Sequence, residues 1–341
     1  MGRFSYPETR RVKYAKPHLN YNQQVDLLRS RGLRIDHAPD AIRDLKRIGY
    51  YRLSAYTYVL RRPGVEVEGG VRPPRSDTFV EGASFDDAVA LCAFDDRLRN
   101  VLLAGLQQVE VGMRVQVGYQ LGKTDPHGHL AVEHLDAARC AEPAHAPRDG
   151  HPVSLHEDWL RRYQSLLSDA ANEDFVKHFI LKYDGYIPIW VATEFMTFGC
   201  LTALYNLLGS RDAAAIARNL DVKNRDIIHG WLKALNVLRN HCAHNARIWN
   251  RATVYPPRVP SPTLAHERLH HLSTADNNRL YFLAAITAHL LICLDSSTNW
   301  PRQFVTVMRK YPTVHGMTPE NTMGFPGDWE SLAIWRHTPF N

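Results

Sequence analysis

The sequence predicts an all-α protein. Apolar residues recur every three or four positions over long stretches, and no segment alternates apolar with polar residues for more than a few positions. No self-similar period of about 20 to 50 residues stands out either, which sets aside helical repeat arrays and propellers.

Taken in order, residues 21–31 have helical spacing and stop at Gly32, and residues 41–62 give a second helical stretch around Tyr50 and Tyr51. Residues 63–78 carry the Gly and Pro load of a loop. Ser84 is a suitable N-cap for a long helix whose apolar positions, from Leu91 through Leu98, Leu106 and Met113 to Leu121, step by three or four as far as Gly122. Residues 123–154 are rich in Pro, Gly, His and Asp and read as an excursion, after which helical spacing returns at 159–167 and 175–181. Residues 188–208 are apolar on several sides and should be deeply buried. A long helix is expected over 221–249, closed by YPPRVPSPT from Tyr255, and another over 279–294, ahead of a Pro-rich tail containing GFPGDW. The expected arrangement is an N-terminal helical region at 16–78, a helical bundle at 79–300 and a C-terminal tail at 301–341.

The chain has 341 residues, of which 45% are apolar and 22% charged, so it can bury a large core and is too apolar to stay disordered. Lys and Arg number 41 against 35 Asp and Glu, a net charge of +6 before any of the 18 histidines is protonated. Such a balance is compatible with a polyanionic partner without requiring one. The five cysteines are scattered and never spaced C-x-x-C, which argues against a disulfide framework and against a zinc ribbon. Residues 1–16 are polar and basic with no apolar stretch of a signal peptide, and the longest apolar run, 281–294, is broken by His289 and falls short of the roughly 20 residues of a bilayer span. A reduced, cytoplasmic protein with no membrane contact is the expectation.

Chemistry concentrates in residues 226–251, DIIHGWLKALNVLRNHCAHNARIWNR. Their core-facing stripe is Ile228, Trp231, Leu235, Leu238, Cys242, Ala246 and Trp249. On a helical wheel with Leu235 at the origin, Arg239 falls at about 40°, inside the apolar sector. An arginine there either snorkels at the core's edge or takes a carboxylate or phosphate partner. Asn240 and His244, at about 140° and 180°, share the polar face with Lys233 and Arg247. That face suits a phosphate or is simply solvated, and Arg239 meets His244 only through arginine's reach, a local distortion or a second subunit. His241 and His244 have the spacing of two metal ligands, but no carboxylate lies in the same turn, so a metal site is a weak alternative.

Within this segment, RNHCAHNARIWNR resembles the signature of the Abi-like abortive-infection family (AbiD/AbiF), whose R-x4-H motif belongs to the HEPN superfamily of helical ribonucleases. KPHLNYNQQVDLLRSRGLRI, IGYYRLSAYTYVLR, FDDRLRNVLLAGLQQVEVGMR and IPIWVATEFMTFGCLTALY resemble that family's other blocks in its order, over roughly residues 16–330. The resemblance implies a HEPN-type helical bundle with an N-terminal helical extension. It also implies metal-independent cleavage of RNA, with no cofactor, through attack of a 2′-hydroxyl on the adjacent phosphate. Carried over residue by residue, Arg239 and His244 match the catalytic pair and Asn240 the polar residue that follows the arginine. Many relatives have a second histidine directly after the motif histidine, where this chain has Asn245.

The residue types suit that chemistry, since histidine exchanges protons near neutrality and arginine's fork stabilises a pentacovalent phosphate. The family also implies a homodimer in which two motifs line one cleft, and a small non-coding RNA as a further bound RNA. Supporting candidates are Glu194, expected to pair with Arg239 from a buried stretch, Glu110 and His241. Arg114 with Glu110 reads equally as an exposed i, i+4 pair. Lys233, Arg247, Arg251 and Arg114 are candidates for RNA backbone contacts. Tyr50, Tyr51, Arg52, Tyr56 and Tyr58 combine aromatic and basic character suited to bases, although helical spacing puts most of them in a core. The reading opposed to a nuclease is a non-catalytic RNA-binding regulator on the same scaffold.

Overall fold

A computed structural model describes residues 15–64, 75–144, 153–314 and 316–338. The described residues form α-helices and short 3-10 turns, with strand pairing limited to isolated bridges, so the chain is all-α. The helices are α1 (Tyr21–Ser30), α2 (Ala38–Ile48), α3 (Tyr50–Thr57), α4 (Phe85–Gly122), α5 (Ala137–Ala141), α6 (Leu155–Asp169) and α7 (Asp174–Tyr183). They continue with α8 (Ile189–Phe195), α9 (Phe198–Leu207), α10 (Ser210–Asn219), α11 (Arg225–Ala243), α12 (Leu280–Leu294), α13 (Trp300–Met308) and α14 (Pro319–Met323). Two compact units divide the chain at Cys92 and Ala93, inside α4.

In the first unit, α1 opens on a capping box in which Asn20 accepts from the Gln23 amide and Gln23 reaches back to Asn20. Gly49, at φ 88°, separates α2 from α3, so the helical stretch expected over 41–62 is two helices at an angle that only glycine adopts easily. Val25, Leu28, Leu45, Leu53 and Tyr56 are buried. Tyr56 therefore belongs to a core, whereas Tyr51 is 90% exposed. The loop expected at 63–78 lies in part outside the described residues.

In the second unit, α4 buries Leu98, Leu102, Leu106, Val109, Met113, Val117 and Leu121 completely, as its spacing predicts. The start of α4, which belongs to the first unit, is also as expected, with the Ser84 hydroxyl accepting from the Asp87 amide at 3.1 Å. Two glycines let neighbours touch its backbone: a Cβ at Gly105 would meet the Trp300 ring and one at Gly112 would meet Leu294. The centre of the unit is α12, in which every residue from Leu280 to Ile292 is buried. α11 packs on α9, α10 and α12, and α6 packs on α5 and α9. The apolar stretch 188–208 is broken at Met196 and Thr197 into α8 and α9, Thr197 capping α9. Residues 301–308, expected to be tail, belong to α13, which buries Trp300 and Phe304. No described helix is long and apolar enough to cross a membrane.

Candidate functional site

Arg239 sits on α11 just outside the stripe of Trp231, Leu235 and Leu238, and its side chain is 30% exposed. A guanidinium so placed needs an anion. The anion is Glu110 of α4, whose Oε2 lies 3.3 Å from Arg239 Nη2. The other oxygen of the same carboxylate accepts from Arg114 Nη2 at 2.9 Å. Arg114 Nη2 also donates to the Met196 carbonyl at 3.0 Å, tying the network to the end of α8, and Arg114 Nη1 is 3.8 Å from Glu194. Two sequence expectations are corrected here. Glu194 does not pair with Arg239; it is 57% exposed and faces Arg114. Glu110 and Arg114 are not an exposed pair, since the Glu110 side chain is only 5% exposed and links two arginines.

The buried Glu110 fixes both guanidiniums, and the exposed Glu194 is the second carboxylate of the cluster, on the Arg114 side and away from Arg239. Arg239 Nη1 donates to Asn240 Oδ1 at 3.4 Å, and its Nε has no protein partner among the described residues. This leaves the guanidinium held on one edge and half-buried.

The helix carrying Arg239 ends earlier than its apolar spacing suggests. α11 stops at Ala243, with His244 as its C-cap and Asn245 in the left-handed region at φ 54°. The Ala246 amide donates to the His241 carbonyl at 2.9 Å and the Asn245 amide to the Cys242 carbonyl at 3.2 Å, which together make a Schellman motif. Asparagine tolerates that backbone conformation better than most residues, which gives Asn245 a structural reason of its own. His244 is exposed at this end, one turn after Asn240, whose carbonyl accepts the His244 amide at 2.9 Å. His244 still lies on the helical path, so the wheel's separation of about 140° from Arg239 stands, and the chain leaves the helix only at Asn245.

The chain beyond the cap is pinned from α4 by residues the sequence reading did not single out. Asp95, wholly buried, accepts the Trp249 amide at 2.7 Å and the Ile248 amide at 3.3 Å on one oxygen and holds Arg99 with the other. Arg99 also contacts Asp96 and donates to the Ala246 carbonyl at 3.4 Å. Trp249, off the helix, is buried and donates from its ring to the Tyr311 hydroxyl at 3.2 Å. Asp95 and Arg99 each sit next to a position of the apolar stripe of α4, four residues apart, and that spacing of opposite charges beside the stripe was the available signal.

The remaining candidates spread around this centre. His241 is half-buried; burial, then Arg251 and His244, lowers its pKa. It borders, with Arg251 and Leu283, a cavity of about 20 Å³, enough for one water. Lys233 is exposed and its ammonium lies 4.4 Å from the Tyr255 ring centroid. Arg251 is exposed and donates to the Arg247 carbonyl at 3.4 Å, beyond the helix end. Arg114, 19% exposed, is mainly a link in the ion network. No described group of three or more His, Cys, Asp or Glu side chains is arranged to hold a metal ion.

The family model described as Abi-like protein matches residues 43–250, more than half of the chain, and takes in Glu110, Arg114, Glu194, Arg239 and His244. No curated protein and no solved structure matches the chain.

Proposed function

Since this chain belongs to the Abi-like protein family, whose name ties it to abortive infection, we propose that it is a metal-independent endoribonuclease that arrests growth by cleaving RNA. The observation that carries this reading is that one helix, α11, bears both a partly exposed guanidinium, Arg239, held by the buried Glu110, and an exposed histidine, His244, at its end. An RNA phosphate docked on Arg239 brings its own nucleophile, the neighbouring 2′-hydroxyl. His244 takes the proton of that hydroxyl or supplies one to the departing 5′-oxygen. Arg239, with Asn240 beside it, stabilises the charge that builds on the phosphorane oxygens. The products are a 2′,3′-cyclic phosphate and a 5′-hydroxyl.

One histidine cannot act as base and acid on opposite sides of phosphorus in the same step. A homodimer of HEPN type, with two such helix ends on one cleft, supplies the second His244. Lys233, Arg247 and Arg251 extend the positive surface for the RNA backbone in this reading.

The test is cleavage of an oligoribonucleotide by the purified full-length chain. Wild type should cut, His244→Ala and Arg239→Ala should lose at least about 100-fold in rate while folding normally, and a single 2′-deoxy nucleotide at the cut position should abolish cleavage. Cleavage that survives both substitutions would move the reading to a non-catalytic RNA-binding regulator.

A further inference from the structure

A groove of about 430 Å³ lies between the last turns of α4 and α8, bordered by Tyr119, Lys123, Trp190, Glu194 and Arg114. We propose that it binds one unstacked base of single-stranded RNA, guanine by preference. The proposal rests on the ribonuclease reading and adds the substrate's conformation and a base subsite.

Two aromatic side chains are open to solvent here, Tyr119 at 67% and Trp190 at 50% exposure. Glycines on α4 determine how closely Trp190 lies. A Cβ at Gly122 would stand 2.9 Å from the Trp190 ring, and one at Gly118 would stand 3.2 Å from Trp190 Cα. The indole thus rests directly on helix backbone, leaving its far side for a ligand. Lys123 stands 4.2 Å from the Tyr119 ring centroid, a cation placed where a phosphate next to a stacked base would run. Exposed aromatic faces flanked by cations are what single-stranded nucleic acid requires, because every base has a π-face and every link a charge.

Glu194 supplies discrimination. Its carboxylate accepts hydrogen bonds and donates none, so it favours a base edge with two adjacent donors; among the four RNA bases only guanine has one, at N1 and N2. The groove also joins the reactive centre, since Arg114 on its border shares the Glu110 carboxylate with Arg239. The charges within the groove favour this occupant over a second copy of the chain, because the cores of protein interfaces are depleted in Lys and Glu.

The experiment measures binding without chemistry. The full-length protein is titrated into fluorescent 2′-O-methyl heptanucleotides, which lack the attacking hydroxyl, with one central guanine or with uracil throughout. The expected result is tighter binding of the guanine oligonucleotide. Trp190→Ala and Tyr119→Ala should each weaken it about 5- to 150-fold, and Glu194→Gln should abolish the preference while sparing affinity for the uracil oligonucleotide. Tyr119 is the more exposed of the two rings, so its variant stands if the Trp190 variant unfolds. Unchanged affinity in Tyr119→Ala overturns the proposal. So does a loss of dimer with unchanged affinity, which assigns the groove to a second copy. Cleavage of the matching all-ribose oligonucleotide, scored separately, tells a failed subsite from a failed nuclease.

Discussion

A single carboxylate decides where two guanidiniums point. Glu110 is nearly inaccessible, and both of its oxygens are engaged by arginines, one of which is the proposed phosphate ligand. Glu110→Gln keeps the shape but removes the charge and turns one oxygen into a donor facing a guanidinium. The variant should lose about 2 to 3 kcal/mol of stability, less than for a fully buried pair because both arginines reach solvent in part. Its kcat should fall at nearly constant KM, because Arg239 loses the contact that aims it. Thermal melting and steady-state cleavage check this, and a variant with wild-type kcat would separate Glu110 from the chemistry. The sequence left Arg239 either snorkelling at the core's edge or paired with an anion, and the structure shows the pair with Glu110. Which anion was not legible, because Glu110 and Glu194 both lie more than forty residues away, and only packing of α4 against α11 distinguishes them.

At the scale of elements, the end of α11 governs the placement of His244. The apolar spacing continues through Ala246 and Trp249, so periodicity alone extends the helix to residue 249. The backbone instead turns at Asn245, and Asp95 and Arg99 of α4 satisfy the groups that the helix would have used. Trp249 is buried as the stripe predicts, but from a loop. The same principle separates α2 from α3 at Gly49 and α8 from α9 at Thr197, where local caps override a continuous apolar pattern. The start of α4 was readable because Ser84 and Asp87 form a cap within four residues. At Asn245, a valine in left-handed backbone should cost about 1 to 2 kcal/mol, whereas glycine should be neutral within a few tenths. Melting of Asn245→Val and Asn245→Gly reads this directly; equal stability of the two would contradict the assigned turn.

For the molecule as a whole, the many histidines divide into exposed and interior groups, and the interior group makes the fold sensitive to acid. His129 and His289 are wholly buried, and burial lowers their pKa values to about 3 and about 4. Burial keeps His289 neutral even though its Nε2 lies 2.8 Å from the Leu220 carbonyl, a contact that on its own raises the pKa. In the unfolded chain each titrates near 6.5. Below that pH the unfolded state takes up protons that the native state refuses, so their contribution is complete above about 6.5 and declines as pH falls, towards 4 for His289 and towards 3 for His129. At pH 5 each costs about 2 kcal/mol. The melting temperature should hold steady above neutrality and drop between pH 6.5 and 5; a flat profile across that interval would contradict the neutral, buried assignment.

The central claim is that Arg239 and His244 cleave RNA, and its most direct measurement is the sequencing of RNA ends from cells induced to express wild type, His244→Ala or Arg239→Ala. Growth arrest with new 5′-hydroxyl ends in wild type alone is the predicted result. Arrest of equal strength in all three, with no new ends, would contradict it.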